Sequence, residues 1–421
     1  MIKVVWICHF SNKEVRKFQN IRIPLWEIFA MTLMRKPKLK VADFAVWITN
    51  AIHEFERFYG IELHVIAPVS RVRENLIEFN IRGVYYHFFK TQGFSFLDIF
   101  RNRMFNICEK DFKKNRLIIN SLINKIQPQI VHVFGAENPY YSLSLLDVPK
   151  SIPTIMQLDT LLSDPDIYVN YPNRADFVYR SKIEKELIKK ATYIATTELK
   201  FINIIQRDIK PDVNILNITL ALNEEVHKEQ SEKSFDFVYF ANGLYKAFDL
   251  ALEGFGIAHS KAPNITLDVI GGYSIEEKAK YDERIAELNV GNNITFEGYL
   301  QTHEEVMQQI RKSRFALLPL RTDLTSGTIR EAMANGLPVV TTDTGELGTQ
   351  MLNAKDICVL ISSTYDHDSL ANNMLRLIND PQLAGMLQEN GYRATIKSKS
   401  NREVAEEYLN AYSEILNINI T

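Results

Sequence analysis

Short apolar runs punctuate this chain, and amphipathic segments fill the gaps between them. In the first half the runs are IKVVWIC (2–8), ELHVIAPV (62–69), YYHFFKT (85–91), IVHVF (130–134), TIMQLD (154–159) and YIATT (193–197). Apolar residues recur at helical spacing between several of them, as in RLIINSLINKIQ (116–127) and SKIEKELIKKA (181–191). The second half restarts the alternation with FDFVYFANG (235–243), ITLDVIGG (265–272), NITFEGY (293–299), FALLPL (315–320), PVVTT (338–342) and CVLIS (358–362). Its helical segments include AFDLALEGFGIAHSKA (247–262) and HEEVMQQIRKS (303–313). Nearly continuous apolar strands belong to parallel sheets covered on both faces, and parallel strands need helical crossovers. Two such runs predict an α/β chain of two doubly wound domains, residues 1–220 and 221–401. The polar stretch NEEVHKEQSEKS (223–234) is the best linker. A last amphipathic segment, REVAEEYLNAYSEIL (402–416), has no strand after it and can pack on either domain.

Length agrees with this division, because 421 residues exceed one ordinary core. Charge adds a second asymmetry. The formal net charge of −2 argues against a general nucleic-acid binder. Residues 1–220 hold 31 Lys and Arg against 22 Asp and Glu, whereas residues 221–421 hold 18 against 29. The basic half suits an anionic substrate or membrane surface, or is simply a solvated basic face. The stretch 25–52 mixes aromatics with Arg35, Lys36, Lys38 and Lys40. It reads either as a basic amphipathic face resting on anionic lipid or as a helix pair with a charged turn. Cys8, Cys108 and Cys358 are too scattered for a disulfide framework or a zinc cluster, and suit a reducing compartment. The N-terminus lacks the pattern of a signal peptide, and no apolar run reaches the roughly 18 residues of a spanning helix. The expected location is cytoplasmic, with peripheral contact at the inner membrane face left open.

Doubly wound sheets bind ligands beyond the carboxyl ends of their strands. In the first half those ends are His9-Phe10-Ser11, Phe134-Gly135-Ala136-Glu137 and Asp159-Thr160. In the second they are Ala241-Asn242-Gly243, Gly271-Gly272, Gly298-Tyr299 and the stretch from Pro319 to Asp323. Two such domains facing each other predict an interdomain cleft as the active site. The richest stretch is RTDLTSGTIREAMANGLPVVTTDTG (321–345). Thr325 or Ser326 is a good N-cap and Gly336 a good helix stop, with Pro338 beyond it. A helix of about ten residues therefore starts at a strand's carboxyl end, and its free N–H groups can bind phosphate. Gly327 leaves the approach open, and Asp323 and Glu331 flank it with acceptor-only groups. Those groups suit sugar hydroxyls on either side of a diphosphate, or else are a turn residue and an exposed helix residue.

The acid at 323, the acid at 331 and EAMANGLPVVTT resemble the E-x7-E signature of retaining glycosyltransferases of family 4. FANGLYKAFDLALEGF resembles that family's lysine element, with Lys246 as the lysine. ITLDVIGG, ITFEGYL, PQIVHVFG and SIPTIMQLDTL resemble further strands of it. The departures are Asp323 for a glutamate, Ala247 for a glycine, Glu346 for a second glycine, and no arginine between 235 and 245. Asp159 (or Gln157) stands where the family often has a histidine near the transferred sugar.

The resemblance implies two Rossmann-like domains in GT-B arrangement, with residues 402–421 crossing back to the first. It implies that Glu331 binds the donor ribose, Asp323 the transferred sugar, and Lys246 the leaving diphosphate. Asn242, Gly243, Ser326, Gly327 and Thr328 would line the phosphates, and Gly298 and Tyr299 the base. His9 and Asp159 would meet acceptor or sugar. The implied reaction is retaining, metal-independent transfer of a hexose or N-acetylhexosamine from a UDP- or GDP-sugar. No cofactor is expected, and the acceptor would be a glycan or lipid-linked precursor of cell-envelope polysaccharide. A nucleotide-sugar 2-epimerase and a non-catalytic nucleotide-sugar binder are the alternatives. GFGIAH (254–259) lacks the last glycine of a dinucleotide fingerprint and sits in a helical pattern. Asp164-Pro165-Asp166 stands alone in a loop and is assigned no metal.

Overall fold

The computed structural model describes residues 1–21, 42–70, 72–91, 111–165, 167, 174–222, 232–240, 247–271, 273, 275–321, 327–343, 358–363 and 365–419. They gather into two compact units. One is drawn from Met1–Leu33, Phe44–Ala221 and Ser400–Thr421, the other from Met34–Asp43 and Leu222–Lys399. Of the stretch 25–52, Arg35, Lys36, Lys38 and Lys40 fall outside the described residues, while Val46–Phe55 is a helix.

The first unit contains β1 (Ile2–Ile7), β2 (Ile61–Val69), β3 (Leu76–Ile81), β4 (Val84–Lys90), β5 (Ile130–Phe134), β6 (Thr154–Gln157), β7 (Tyr193–Ala195) and β8 (Asn214–Leu216). They form one sheet in the order β3-β4-β2-β1-β5-β6-β7-β8. Every pairing is parallel except β3 with β4. Those two strands make a hairpin whose turn residues, Arg82 and Gly83, both have positive φ (47° and 89°). That backbone matches the twist of a two-residue hairpin. The side chain of Asn80 accepts a hydrogen bond from the Gly83 N–H at 3.1 Å.

An aromatic cluster covers the middle of this sheet. Trp6 lies edge-on to Phe55 (4.9 Å) and Phe134 (5.0 Å), and 5.6 Å from Tyr408. Tyr408 and Tyr412 come from the last helix, Asn401–Leu416, which packs on the helix Val46–Phe55. Trp6 Nε1 donates to Tyr412 Oη (2.9 Å), and that hydroxyl is hydrogen-bonded to His132 Nδ1 (2.8 Å). One phenol thus satisfies two buried ring nitrogens on neighbouring strands.

The second unit contains β9 (Phe235–Phe240), β10 (Leu267–Ile270), β11 (Ile294–Gly298), β12 (Ser313–Leu317), β13 (Val339–Asp343) and β14 (Val359–Ser363). Their order is β11-β10-β9-β12-β13-β14, with every pair parallel. The strand order reverses between β9 and β12, and such a switch point opens a crevice for ligand. Gly254 and Gly256 lie within the helix Phe248–Lys261. A Cβ at either would meet Leu370 at 2.7 Å or Leu288 at 3.0 Å, so these glycines serve packing.

Candidate functional site

The helix Gly327–Ala334 follows β12 at the switch point of the second unit. Its approach is pinned by the threonines of β13. Thr341 Oγ1 donates to the Leu318 carbonyl at 2.7 Å. Thr342 Oγ1 accepts from the Leu320 N–H at 2.8 Å and donates to the Leu320 carbonyl at 2.5 Å. Those bonds fix where the chain leaves the sheet, and so where the helix begins. Ile329, Ala332, Met333 and Ala334 are buried. Gly336 ends the helix with φ +70°, a conformation glycine adopts freely.

Gly327 and Thr328 open this helix, and Glu331 follows in its second turn. The Glu331 carboxylate faces His303, with Oε1 3.9 Å from His303 Nε2 and both side chains mostly buried. His303 begins the helix His303–Ile310, which has a Thr302–Glu305 capping box. The Asp43 carboxylate accepts from the His303 N–H at 3.1 Å. Sequence reading missed His303, because its relation to Glu331 is purely tertiary. Among the described residues, a Cβ on Gly327 would meet Leu222 at 3.5 Å, an ordinary contact. Gly298 has φ +71° and closes β11 at a register shift against β10. Tyr299 beyond it is 48% exposed, an accessible ring rather than a packed one. Asn242, Gly243, Lys246, Asp323 and Ser326 fall outside the described residues.

Of two arginines near the helix, Arg321 is committed locally. It pairs with Asp249 in the first turn of the helix Phe248–Lys261, and its guanidinium lies 6.0 Å from the Tyr365 ring. Arg330 is partly buried, and loss of hydration pushes its guanidinium pKa below the usual range.

In the first unit, His9 lies beyond β1 with Nδ1 2.6 Å from Tyr140 Oη, edge-on to Phe44 at 4.6 Å. Burial lowers its imidazole to about 4, so the ring is neutral at neutral pH. Asp159 lies beyond β6 and Glu137 beyond β5. Loss of hydration among the surrounding protein, then the charge of Glu137, raise the Asp159 carboxyl well above the usual carboxylate range. Glu137 is itself shifted upward by burial, and its Oε2 is shielded without a hydrogen bond. Gly135, at φ +85°, makes room for it, since a Cβ there would stand 2.7 Å from Glu137 Oε1.

Among the described residues one trio has the spacing of metal ligands, Glu14, His53 and Glu56. The Arg82 guanidinium already occupies it, donating to both carboxylates at 2.5–3.0 Å. Asp164 pairs with Lys200 Nζ at 2.7 Å, and Asp166 falls outside the described residues. No helix among the described residues is long and apolar enough to cross a membrane.

Residues 223–394 match the family described as Glycosyl transferases group 1. An uncharacterised glycosyltransferase of Methanocaldococcus jannaschii is 26% identical over 348 residues, 79% of this chain and 88% of that protein. Sucrose-phosphate synthase from Thermosynechococcus elongatus shares the fold over 99% of this chain and 100% of its own, with TM-score 0.72 and 15% identity. HepE of Anabaena, crystallised with UDP and glucose, does so over 98% and 100%, with TM-score 0.65 and 11% identity. The chain therefore has two parallel-sheet α/β domains of the kind found in GT-B glycosyltransferases, and its second half carries a glycosyl transferases group 1 domain.

Proposed function

We propose that the protein is a retaining glycosyltransferase that moves a hexose or N-acetylhexosamine from a nucleotide diphosphate sugar to a glycan or lipid-linked acceptor. The observation that carries this reading is the group 1 match across the switch point, where the helix Gly327–Ala334 carries Glu331 one turn after its start. HepE was crystallised with UDP, which supports a UDP-sugar as the first donor to try. In this reading Glu331 accepts hydrogen bonds from the ribose hydroxyls, and the first N–H groups of the helix meet the diphosphate. Tyr299 covers the base, and Gly298 lets the chain pass close beside it. Asn242, Gly243, Ser326 and Thr328 complete the phosphate cradle, and Asp323 contacts the transferred sugar.

Negative charge grows on the diphosphate as the glycosidic bond breaks. Lys246 and the helix start stabilise that charge where it develops. The departing phosphate oxygen takes the acceptor's proton, so attack comes from the face the leaving group vacates and the anomeric configuration is kept. His9, neutral at working pH, and Asp159 contact acceptor or sugar. No metal has a role in this scheme. Synthesis of cell-envelope polysaccharide is the proposed setting, with the protein cytoplasmic and in peripheral contact with the membrane.

Nucleotide release from UDP- and GDP-sugars, measured with and without glycan or lipid-linked acceptors, tests the proposal. Release that rises with acceptor, together with a glycosylated product of unchanged anomeric configuration, is expected. Sugar isomerisation without acceptor would instead identify an epimerase. Binding without turnover of any donor would identify a non-catalytic relative.

A further inference from the structure

We propose that Glu62, His64, His87 and Glu78 form a relay that holds one shared proton between the two imidazoles and fastens the β3–β4 hairpin to β2. Strand periodicity brings these side chains together. Glu62 and His64 stand two residues apart in β2, His87 of β4 pairs with Ile66 of β2, and Glu78 of β3 lies directly across from His87. His64 Nε2 is 2.9 Å from Glu62 Oε1, His64 Nδ1 is 3.0 Å from His87 Nε2, and His87 Nδ1 is 2.8 Å from Glu78 Oε1. Both histidines are buried. Their ring planes are within 19° of parallel, with centroids 5.3 Å apart. That separation equals the nitrogen–nitrogen gap plus the two ring radii, so the facing nitrogens point at each other head-on. Nitrogens held that way by a metal ion would stand about 4 Å apart, twice a metal–imidazole bond. A gap of 3.0 Å takes a proton instead.

Proton counting fixes the charge. Carboxylates only accept, so each outer contact takes an N–H from its histidine. Two neutral rings then have no proton left for the contact between them, and two bare lone pairs would face each other across 3.0 Å. One more proton fills that contact, and a fourth would set two N–H groups against each other. Three contacts therefore hold three protons, which leaves one positive charge shared by the pair. Burial, the larger effect on each ring alone, lowers both imidazoles, whereas Glu62 raises His64 and Glu78 raises His87. Lys3 of β1 lies 3.6 Å from Glu62, and Lys125 of the helix Lys113–Ile126 lies 3.2 Å from Glu78. Both lysines oppose positive charge on the rings. The Tyr85 ring stacks on His64 at 4.9 Å. For the pair as a unit the hydrogen-bond count decides, since only the singly charged form leaves no buried ring nitrogen unpaired.

The shared charge makes the hold on the hairpin pH-dependent. A proton that the folded pair keeps and the unfolded chain releases stabilises fully below about pH 6.5, and its contribution is lost as pH rises toward the folded value. Glu78→Gln in the full-length protein tests this. An amide can donate to His87 Nδ1, and His87 Nε2 can then donate to His64, so every contact survives with both rings neutral. Nitrogen NMR of the histidine-labelled chain reads the ring protonation, with signals assigned by His64→Gln and His87→Gln. At about pH 8, where an ordinary histidine is neutral, the wild-type pair should still show imidazolium shifts and Glu78→Gln should show neutral ones. Glu62→Gln rewrites the relay from its other end and should do the same. In urea unfolding, the wild type should lose stability relative to Glu78→Gln between pH 7 and pH 9. Neutral rings in the wild type at pH 8, imidazolium shifts unchanged in both glutamine variants, or equal urea losses would overturn the proposal.

Discussion

Individual side chains here are set by what surrounds them more than by their type. His9 shows this best. An exposed histidine titrates near pH 6.5, whereas burial against Phe44 and Tyr140 holds His9 neutral down to about 4. The unfolded chain therefore binds a proton that the folded chain refuses. The His9 contribution to stability is complete above pH 6.5 and is lost as pH falls toward 4. Asp159, Glu137 and Glu184 shift upward and oppose it, so the effect is read as wild type minus variant. His9→Gln should reduce the loss of stability between pH 7 and pH 5 by about 2 kcal/mol, measured from urea midpoints. Equal losses in the two proteins would contradict a buried neutral His9.

At the scale of elements, the last helix depends on one hydroxyl. Tyr412 Oη joins Trp6 of β1 to His132 of β5, and all three side chains are fully buried. Tyr412→Phe keeps the ring and leaves an indole N–H and an imidazole nitrogen unpaired. The expected cost is about 1–3 kcal/mol in denaturant unfolding at unchanged m value. A change of only a few tenths of a kcal/mol would mean that the helix is held by its apolar face alone. The pairing was not legible in the sequence, because it joins residues 406 positions apart. Most strands were legible, since their apolar runs are largely buried, as in IVHVF. β3 and β8 were missed for physical reasons. β3 is an edge strand with alternating exposure, and β8 has only three residues, so neither carries a continuous apolar signal.

Across the whole molecule, the sequence pattern implied two parallel sheets, and the strand order of the second puts its switch point, where such sheets open a crevice, between β9 and β12. Gly327 and Glu331 were proposed from the acid-glycine-acid spacing, and the structure places both on one helix. His303 could not be, since it reaches Glu331 from another helix. The central claim is that this crevice holds the nucleoside diphosphate of a sugar donor through Glu331. Calorimetric titration of UDP and GDP into the full chain, wild type and Glu331→Ala, tests it most directly. At least one nucleotide should bind the wild type with a Kd in the range of about 1 μM to 1 mM, and Glu331→Ala should weaken it at least tenfold, the loss of charge-assisted hydrogen bonds to ribose. Absence of saturable binding, or equal affinity in the two proteins, would contradict the account.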